Sequence, residues 1–462
     1  MKSILVPAFF AAFMIIPPRS EAQKELPPKG GPAKDFRLSA KSSGKLSNGL
    51  KTTFVNYGDI PKVTIRLIIA TGGIHEEENQ NGLAELTAEM LRQGSTTMNF
   101  KVLSDKVARM GGALEVYSSK EAVTINGSVL SEFAADLIKI IADILINPAF
   151  PESEIERLKD NLKRQLAVNQ TVPQSIAWDR FSRTIFGNTS LGRVFSKREI
   201  INGFTKTKVA DFYTRNFGAS RSSVYVVGIF DSVKVKDAIA NSLTAWNAGP
   251  PPFTPPIKHV AKRDTIIIDR KNSPQTTVIL GLATIPPNDK DYIGLEVLDA
   301  LLGGAFGSRI VRNIREDKGY TYSPYSELVN RKGVSIWSQN ADITTEHTID
   351  ALKEIDKEIR TLQQTPPPGD ELKGVQNYLS GLFVLRNSSP GGIINQLNFL
   401  DKHGLPDSYL NDYVKNINKI TPREITAAAK KYIDLSKMTV IMVGNKDIIT
   451  KQIEAKQPKK AF

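Results

Sequence analysis

The sequence predicts an α+β protein with two homologous domains, each a mainly antiparallel sheet covered by helices, joined by a Pro-rich linker. Residues 61–67 align with residues 274–280. Residues 227–231 align with residues 443–447 at a similar offset, which indicates an internal repeat of about 215 residues. The prolines and glycines of residues 249–256 cannot lie inside a helix or a central strand, so they divide the two halves.

Each half alternates strand-like and helical patterns in the same order. Strands are predicted where β-branched and apolar residues alternate or run together, and helices where apolar residues recur every three or four positions. In the first domain, residues 46–247, these are strands at 62–70, 113–117 and 122–129 and helices at 81–93, 132–145 and 152–168. In the second domain, residues 265–462, they are strands at 321–329 and 334–341 and helices at 346–362 and 371–385. Residues 23–45 are a predicted flexible tether, and residues 248–264 are the predicted linker.

Residues 1–22 have the pattern of a signal peptide. Lys2 precedes an apolar stretch at residues 4–16, and residues 20–22 (SEA) provide a small-x-small cleavage site. A buried amino-terminal helix is the alternative, but the proline pair at 17–18 argues against it. The apolar stretch is too short to span a bilayer comfortably. We therefore expect an exported protein without stable membrane insertion, which is periplasmic if the source is Gram-negative.

Composition and charge exclude several classes of site. The 462-residue chain has no cysteine and four histidines, no two of which have the spacing of a helical metal site. The formal net charge of +13 comes from scattered Lys and Arg residues. Because no basic run is interleaved with aromatic residues, we interpret the charge as solvated surface and do not expect nucleic-acid binding.

Two blocks of sequence carry a family resemblance. Residues 72–77 read GGIHEE and residues 81–84 read NGLA, at the start of a predicted helix. The second block consists of residues 301–304 (LLGG), 308–309 (SR) and 314–323 (IREDKGYTYS). Together they resemble the pitrilysin/insulinase family of zinc peptidases, the inverzincins, over nearly all of the chain after the signal peptide. The chain is similar to the non-catalytic subunit of processing-peptidase-like heterodimers, which have two half-domains per chain.

The positions that bind zinc in that family are changed here. Active members carry H-x-x-E-H, in which two histidines on one helix face bind zinc and the glutamate is the general base. In this sequence the motif positions hold Glu85, Ala88 and Glu89, and Gln165 stands where the resemblance implies a third ligand, a glutamate. Ala88 cannot accept a proton, and a neutral Gln165 contributes little to binding a dication. We expect no metal in this chain and zinc only in a partner subunit.

Glu85 and Glu89 leave one alternative open. Carboxylates at i and i+4 can contribute to a site for Ca²⁺ or Mg²⁺, although such cations take about six oxygens or more. Two exposed glutamates near the positive N-terminus of a helix are the simpler interpretation. The glycine-rich residues 303–307 do not match a nucleotide-phosphate loop, because no Lys-Ser/Thr pair follows them.

Arg315 and Tyr322 have the seven-residue spacing of a functional pair in the resembled family. The resemblance implies that the Arg binds a substrate carbonyl and that the Tyr hydroxyl donates to the scissile carbonyl as it gains negative charge. A charged fork of donors and a tyrosyl donor suit these roles. The alternative is a surface Arg on a helix and a half-buried Tyr on a strand. Tyr320 and Tyr325 are close enough in sequence to compete for the assignment to Tyr322.

The sequence therefore predicts a chain that is not a peptidase on its own. The first hypothesis is an exported, non-catalytic subunit of a heterodimeric zinc metallopeptidase. It would bind peptide substrate, added as a strand to a sheet edge, and supply Arg315 and Tyr322 to a similar-sized partner with an intact H-x-x-E-H. The second is a catalytically silent peptide-binding or scaffold protein of the cell envelope, as a homodimer or otherwise. A hydrolase that uses a hard cation or no metal is the third.

Overall fold

The structure, a computed structural model, describes residues 37–260 and 263–456. These residues belong to one compact unit that includes both halves of the chain. The predicted signal peptide at residues 1–22 lies outside the described residues, as does the predicted tether up to residue 36. The carboxyl end of the tether prediction is wrong, because Lys41–Lys45 form an edge strand whose backbone pairs with the next strand.

A six-stranded sheet forms the centre of the first half. Its strands are β1 (Lys41–Lys45), β2 (Lys51–Asn56), β3 (Lys62–Ile69), β4 (Ala113–Ser118), β5 (Val123–Leu130) and β6 (Ser222–Gly228). They lie in the order β1-β2-β6-β3-β5-β4, and all neighbours are antiparallel except β2 and β6. Along β3, the alternate residues Val63, Ile65 and Leu67 are buried in the core of the same half, as a period of two predicts.

The second half repeats this topology. Its strands are β7 (Asp264–Asp269), β8 (Gln275–Thr284), β9 (Tyr325–Arg331), β10 (Val334–Thr344) and β11 (Thr439–Gly444). They lie in the order β7-β11-β8-β10-β9, with only β7 and β11 parallel, so the sheet matches β2-β6-β3-β5-β4 strand for strand. The prediction of two homologous α+β domains with mainly antiparallel sheets is confirmed.

The predicted strand at 321–329 begins later than expected, at Tyr325. Pro324 precedes this strand and has no N–H group to donate to a ladder, while Thr321 pairs with Ile343 only as an isolated bridge. The other predicted strands and helices are present, with ends that shift by a few residues.

Helices cover both sheets. In the first half they are α1 (Leu83–Arg92), α2 (Phe100–Arg109), α3 (Ala134–Ile146), α4 (Glu152–Asn169), α5 (Pro173–Phe186), α6 (Arg198–Asn202), α7 (Lys206–Asn216) and α8 (Ser232–Leu243). In the second half they are α9 (Tyr292–Asp299), α10 (Arg309–Val311), α11 (Thr348–Gln364), α12 (Gly369–Arg386), α13 (Pro390–His403), α14 (Ser408–Asn411), α15 (Tyr413–Lys419), α16 (Pro422–Tyr432) and α17 (Lys446–Lys456). Two π-helical turns, Ala300–Gly304 and Arg312–Asp317, lie next to α9 and α10. Within the described ranges, no helix is both long enough and apolar enough to cross a membrane.

One helix of each half packs on the sheet of the other half. Phe181 of α5 lies in a buried cluster with Ile279 of β8 and Ile441 of β11. Ile394 of α13 lies in a buried cluster with Val227 of β6. Each sheet therefore has helices of its own half on one face and a helix of the other half on the second face, which buries both faces.

The proline-rich residues 251–260 contain no helix or strand and run along the first half. Arg221 donates hydrogen bonds to the carbonyl oxygens of Pro250, at 3.3 Å, and Pro251, at 2.7 Å. The N–H of Val260 donates to the carbonyl oxygen of Ile185 at 2.8 Å. A side-chain donor and a backbone acceptor of the first half thus satisfy polar groups of a segment that contains no helix or strand.

Candidate functional site

Helix α1 carries the changed zinc-motif positions, and the buried Glu76 fixes where this helix begins. Oε1 of Glu76 accepts hydrogen bonds from the N–H groups of Gly82, at 3.0 Å, and Ala84, at 2.8 Å. Gly82 has a φ of 100°, a left-handed conformation that favours glycine, and the helix starts at the next residue. Glu85 consequently lies in the first turn of α1, where the free N–H groups favour a negative charge.

Glu85 and Gln165 are brought together at one cavity of about 220 Å³, which we call the α1–α4 cavity. Glu89 lies outside its lining, and its carboxylate is 3.8 Å from the Arg92 guanidinium. Ala88 is 0% exposed and packs in the core of the first half. Glu85 and Gln165 therefore line the cavity, while Ala88 packs in the core and Glu89 lies beside Arg92 of the same helix.

Lys120 supplies a positive charge to the α1–α4 cavity. It lies in the turn between β4 and β5, and its Nζ donates to the carbonyl oxygen of Arg193 at 2.7 Å. Burial lowers the pKa of Lys120, although the carboxylate of Glu76 opposes this change. Glu85 lines the cavity and is partly exposed to solvent, and desolvation of the rest of the side chain raises its pKa. The charge of Glu89 adds to that rise, and Lys120 opposes it.

The zinc ion implied by the family does not fit this cavity. The motif positions offer carboxylates and a neutral amide in place of imidazoles, and Ala88 provides no base. The ammonium group of Lys120 also opposes a dication. Across residues 37–260 and 263–456, no group of three or more His, Cys, Asp or Glu side chains is arranged to hold a metal ion. A Ca²⁺ or Mg²⁺ site at Glu85 and Glu89 would therefore have no third His, Cys, Asp or Glu ligand within the described residues.

Arg315 and Tyr322 lie together on the surface of the second half, with Phe306 beside them. The guanidinium carbon of Arg315 is 4.4 Å from the centre of the Phe306 ring and 5.1 Å from that of Tyr322. Its Nε is 3.2 Å from a carboxylate oxygen of Glu316. The two aromatic residues are 69% and 78% exposed, so these contacts hold a cation at the protein surface. We call Phe306, Arg315 and Tyr322 the Arg315 stack.

The two competing tyrosines have other environments. Tyr320 stacks on His347, with ring centres 4.5 Å apart, and packs against the core of the second half. Tyr325 begins β9 and lines a different cavity, between the two halves. Tyr322 is therefore the tyrosine that contacts Arg315. Neither Arg315 nor Tyr322 lines the α1–α4 cavity of the same chain.

Two family profiles match the chain in sequence order. Residues 55–198 match the profile described as Insulinase (Peptidase family M16), and residues 203–379 match the one described as Peptidase M16 inactive domain. Together they span more than half of the chain. The chain belongs to the insulinase family. The resemblance that residues 72–84 and 301–323 carry is thereby confirmed.

Other proteins are similar to this insulinase-family chain. An uncharacterized zinc protease of Rickettsia felis is 26% identical over 327 residues, which are 69% of this chain and 76% of the relative. The non-peptidase homolog YmxG of Helicobacter pylori is 24% identical over 392 residues, 84% of this chain and 90% of the relative. The crystal structure of a peptidase M16 inactive domain from Pseudomonas fluorescens has a TM-score of 0.80 at 22% identity and covers 88% of this chain and 98% of that chain. The crystal structure of a protease from Helicobacter pylori has a TM-score of 0.81 at 16% identity and covers 88% of this chain and 100% of that chain.

Glu76→Gln should make the stability of this insulinase-family chain less dependent on pH. Burial raises the pKa of Glu76 from 4.5 to about 7, against the opposing effects of Lys120 and two backbone N–H groups. The unfolded chain ionises near 4.5 while the folded protein stays protonated until about 7, so the free energy of unfolding falls as the pH rises through this range. We expect the buried Glu76 carboxyl to lower the free energy of unfolding of the wild type by on the order of 3 kcal/mol above pH 7. The variant keeps an oxygen acceptor for both N–H groups and avoids that loss.

Urea unfolding of wild type and Glu76→Gln at pH 4.5 and pH 8 measures this effect. Burial also raises the pKa values of Glu296, to about 7, and Asp299, to about 6, so the difference between the two proteins isolates Glu76. Glu78→Gln, at an exposed position nearby, should leave the pH dependence of the wild type unchanged. The same pH dependence in Glu76→Gln and wild type would contradict the raised pKa.

Proposed function

We propose that this chain is an exported, non-catalytic subunit of a heterodimeric zinc metallopeptidase. The Arg315 stack is the observation that carries the proposal. A chain whose own zinc-motif positions have lost their donors presents Arg315 and Tyr322 on an exposed surface. The partner in this proposal is a similar-sized family member with an intact H-x-x-E-H, which holds the zinc, and the ligand of the pair is a peptide.

The chemistry of the Arg315 stack suits a role across a subunit interface. The Arg315 guanidinium offers planar, permanently charged donors. Contact with two rings already restricts its rotamers, so the side chain loses less conformational entropy when it binds a substrate carbonyl. The Tyr322 hydroxyl has no hydrogen-bond partner within residues 37–260 and 263–456. It is free to donate to the scissile carbonyl oxygen as negative charge develops there.

Export is the part of the proposal that rests on residues 1–22. Their charged start, apolar stretch and small-residue cleavage site have the order of a secretory signal. The mature subunit would then begin after residue 22 and meet its partner outside the cytoplasm, in the periplasm if the source is Gram-negative.

The test is a peptidase assay with zinc on three samples: this chain, an H-x-x-E-H relative from the same organism, and their mixture. We expect activity in the mixture only, together with a complex of the two chains on size-exclusion chromatography. Activity of this chain alone would overturn the account of the changed zinc positions. A stable complex or a homodimer with no gain in activity would instead favour a silent peptide-binding or scaffold protein. The relative from Helicobacter pylori is itself called a non-peptidase homolog.

A further inference from the structure

A cavity of about 370 Å³ lies between the two halves of the chain, and we call it the interdomain cavity. The first half contributes Trp178 from α5 and Phe195 from a loop. The second half contributes Tyr325 and Glu327 from β9 and Asp342 from β10. The residues that line both this cavity and the α1–α4 cavity are Asn169, Val194 and Phe195, so the two cavities adjoin. A volume of this size is at the lower end of small-molecule sites, which occupy about 300–1,000 Å³.

Glu327 is a carboxylate without a counter-charge in this cavity. It is half-buried, desolvation raises its pKa, and it has no hydrogen-bond or ion-pair partner in the described part of the chain. Asp342 differs, because it accepts hydrogen bonds from Nε2 of Gln174, at 2.7 Å, and Oγ1 of Thr277, at 2.5 Å. Arg331, further along β9, is 3.6 Å from Glu121 and so has another partner. A cationic ligand in this cavity would supply the counter-charge that Glu327 lacks.

Three aromatic side chains, those of Trp178, Phe195 and Tyr325, line the interdomain cavity. Trp178 stacks on Phe181 with ring centres 5.6 Å apart, which fixes the orientation of the indole. Within residues 37–260 and 263–456, neither the indole N–H of Trp178 nor the hydroxyl of Tyr325 has a hydrogen-bond partner. Aromatic faces attract cations that lie within about 6 Å of the ring centre. A carboxylate beside such faces is the chemistry that recognises an ammonium or guanidinium group.

We propose that the interdomain cavity binds an organic cation, a primary ammonium or guanidinium group on a short apolar body. Glu327 pairs with the charge, Asp342 adds negative potential, and the rings of Trp178, Phe195 and Tyr325 cover the apolar body. A bare divalent metal ion takes about six oxygen ligands. No group of three or more His, Cys, Asp or Glu side chains is arranged to hold one within residues 37–260 and 263–456. The cation is either a free small molecule or the basic side chain of a peptide that extends from the adjoining α1–α4 cavity.

Calorimetric titration of the full chain with phenethylammonium tests the proposal. The uncharged 2-phenylethanol has the same apolar body and should bind at least about tenfold more weakly, because it cannot pair with Glu327. Glu327→Gln keeps the shape of the side chain and should weaken phenethylammonium binding at least about tenfold. Glu346→Gln removes the same charge from an exposed position of the same half and should bind phenethylammonium like the wild type.

A second variant tests the proposal if Glu327→Gln does not fold. Thermal unfolding would show whether each variant is folded. Tyr325→Leu removes a half-exposed ring from the cavity wall and should weaken phenethylammonium binding about threefold to tenfold. Equal affinity for phenethylammonium and 2-phenylethanol would overturn the proposal. It would also be overturned by unchanged binding in the folded variants, or by no binding to the wild type at millimolar phenethylammonium.

Two blocked pentapeptides that differ only in a central arginine or citrulline separate the two sources of the cation. A preference for the arginine peptide that Glu327→Gln removes identifies a peptide side chain. Binding of phenethylammonium without such a preference identifies a free small molecule. All of these titrations use this chain alone, so their failure would leave the proposal of a zinc-bearing partner unaffected.

Discussion

Tyr322→Phe should lower the kcat of the proposed heterodimer by about two to three orders of magnitude, with KM and subunit assembly close to wild type. The change removes one hydroxyl from a residue that is 78% exposed and keeps the ring contact with Arg315, so the fold loses little. A hydrogen bond to the scissile carbonyl oxygen strengthens as charge develops in the transition state, and its loss therefore falls on kcat. Steady-state kinetics of the mixture with zinc and a peptide substrate measure both constants.

Tyr320→Phe is the matched control for this prediction. Tyr320 stacks on His347 and packs against the core of the second half, so the loss of its hydroxyl should leave kcat unchanged. Arg315→Lys keeps the charge but loses the planar fork and the ring contacts, and we expect KM to rise. Full activity in Tyr322→Phe together with a large loss in Tyr320→Phe would show that the assignment of the donor is wrong.

The spacing of apolar residues predicts most of the helices and strands, because the burial of one face of an element is visible in its own sequence. Val63, Ile65 and Leu67 alternate with less buried residues along β3, and that pattern is visible without any tertiary information. The sequence does not encode locally which half covers a given face. Phe181 belongs to an apolar helix face like many others, and only the folded structure shows that this face packs on the sheet of the second half.

The candidate site was predictable where residue identity decides the chemistry. The loss of imidazoles at Glu85 and Glu89 and of a base at Ala88 is plain from the sequence. Lys120 and Phe306 were not predictable, because each lies in a loop or turn where the direction of the side chain depends on distant contacts. Lys120 reaches a backbone carbonyl of another loop, and Phe306 reaches Arg315 of a π-helical turn.

Phe181→Ala should destabilise the second half as strongly as the first, although Phe181 belongs to the first. The side chain is fully buried, and its ring lies so close to β8 that a Cβ on Gly281 would be 2.8 Å from its Cζ. Truncation of such a buried Phe costs about 3–5 kcal/mol of unfolding free energy. Because α5 covers the second sheet and α13 covers the first, the loss of either helix exposes an apolar sheet face in the other half.

Native-state hydrogen exchange of the β3, β8 and β11 amides measures this coupling. In Phe181→Ala we expect protection to fall by a similar factor in all three strands, as in a single cooperative unit. Phe253→Ala removes the same ring from an exposed position and should change the unfolding free energy by less than about 0.5 kcal/mol. A loss of protection confined to residues 37–247 would show that the halves unfold independently. We expect the coupled result, because each sheet buries one of its faces against a helix of the other half.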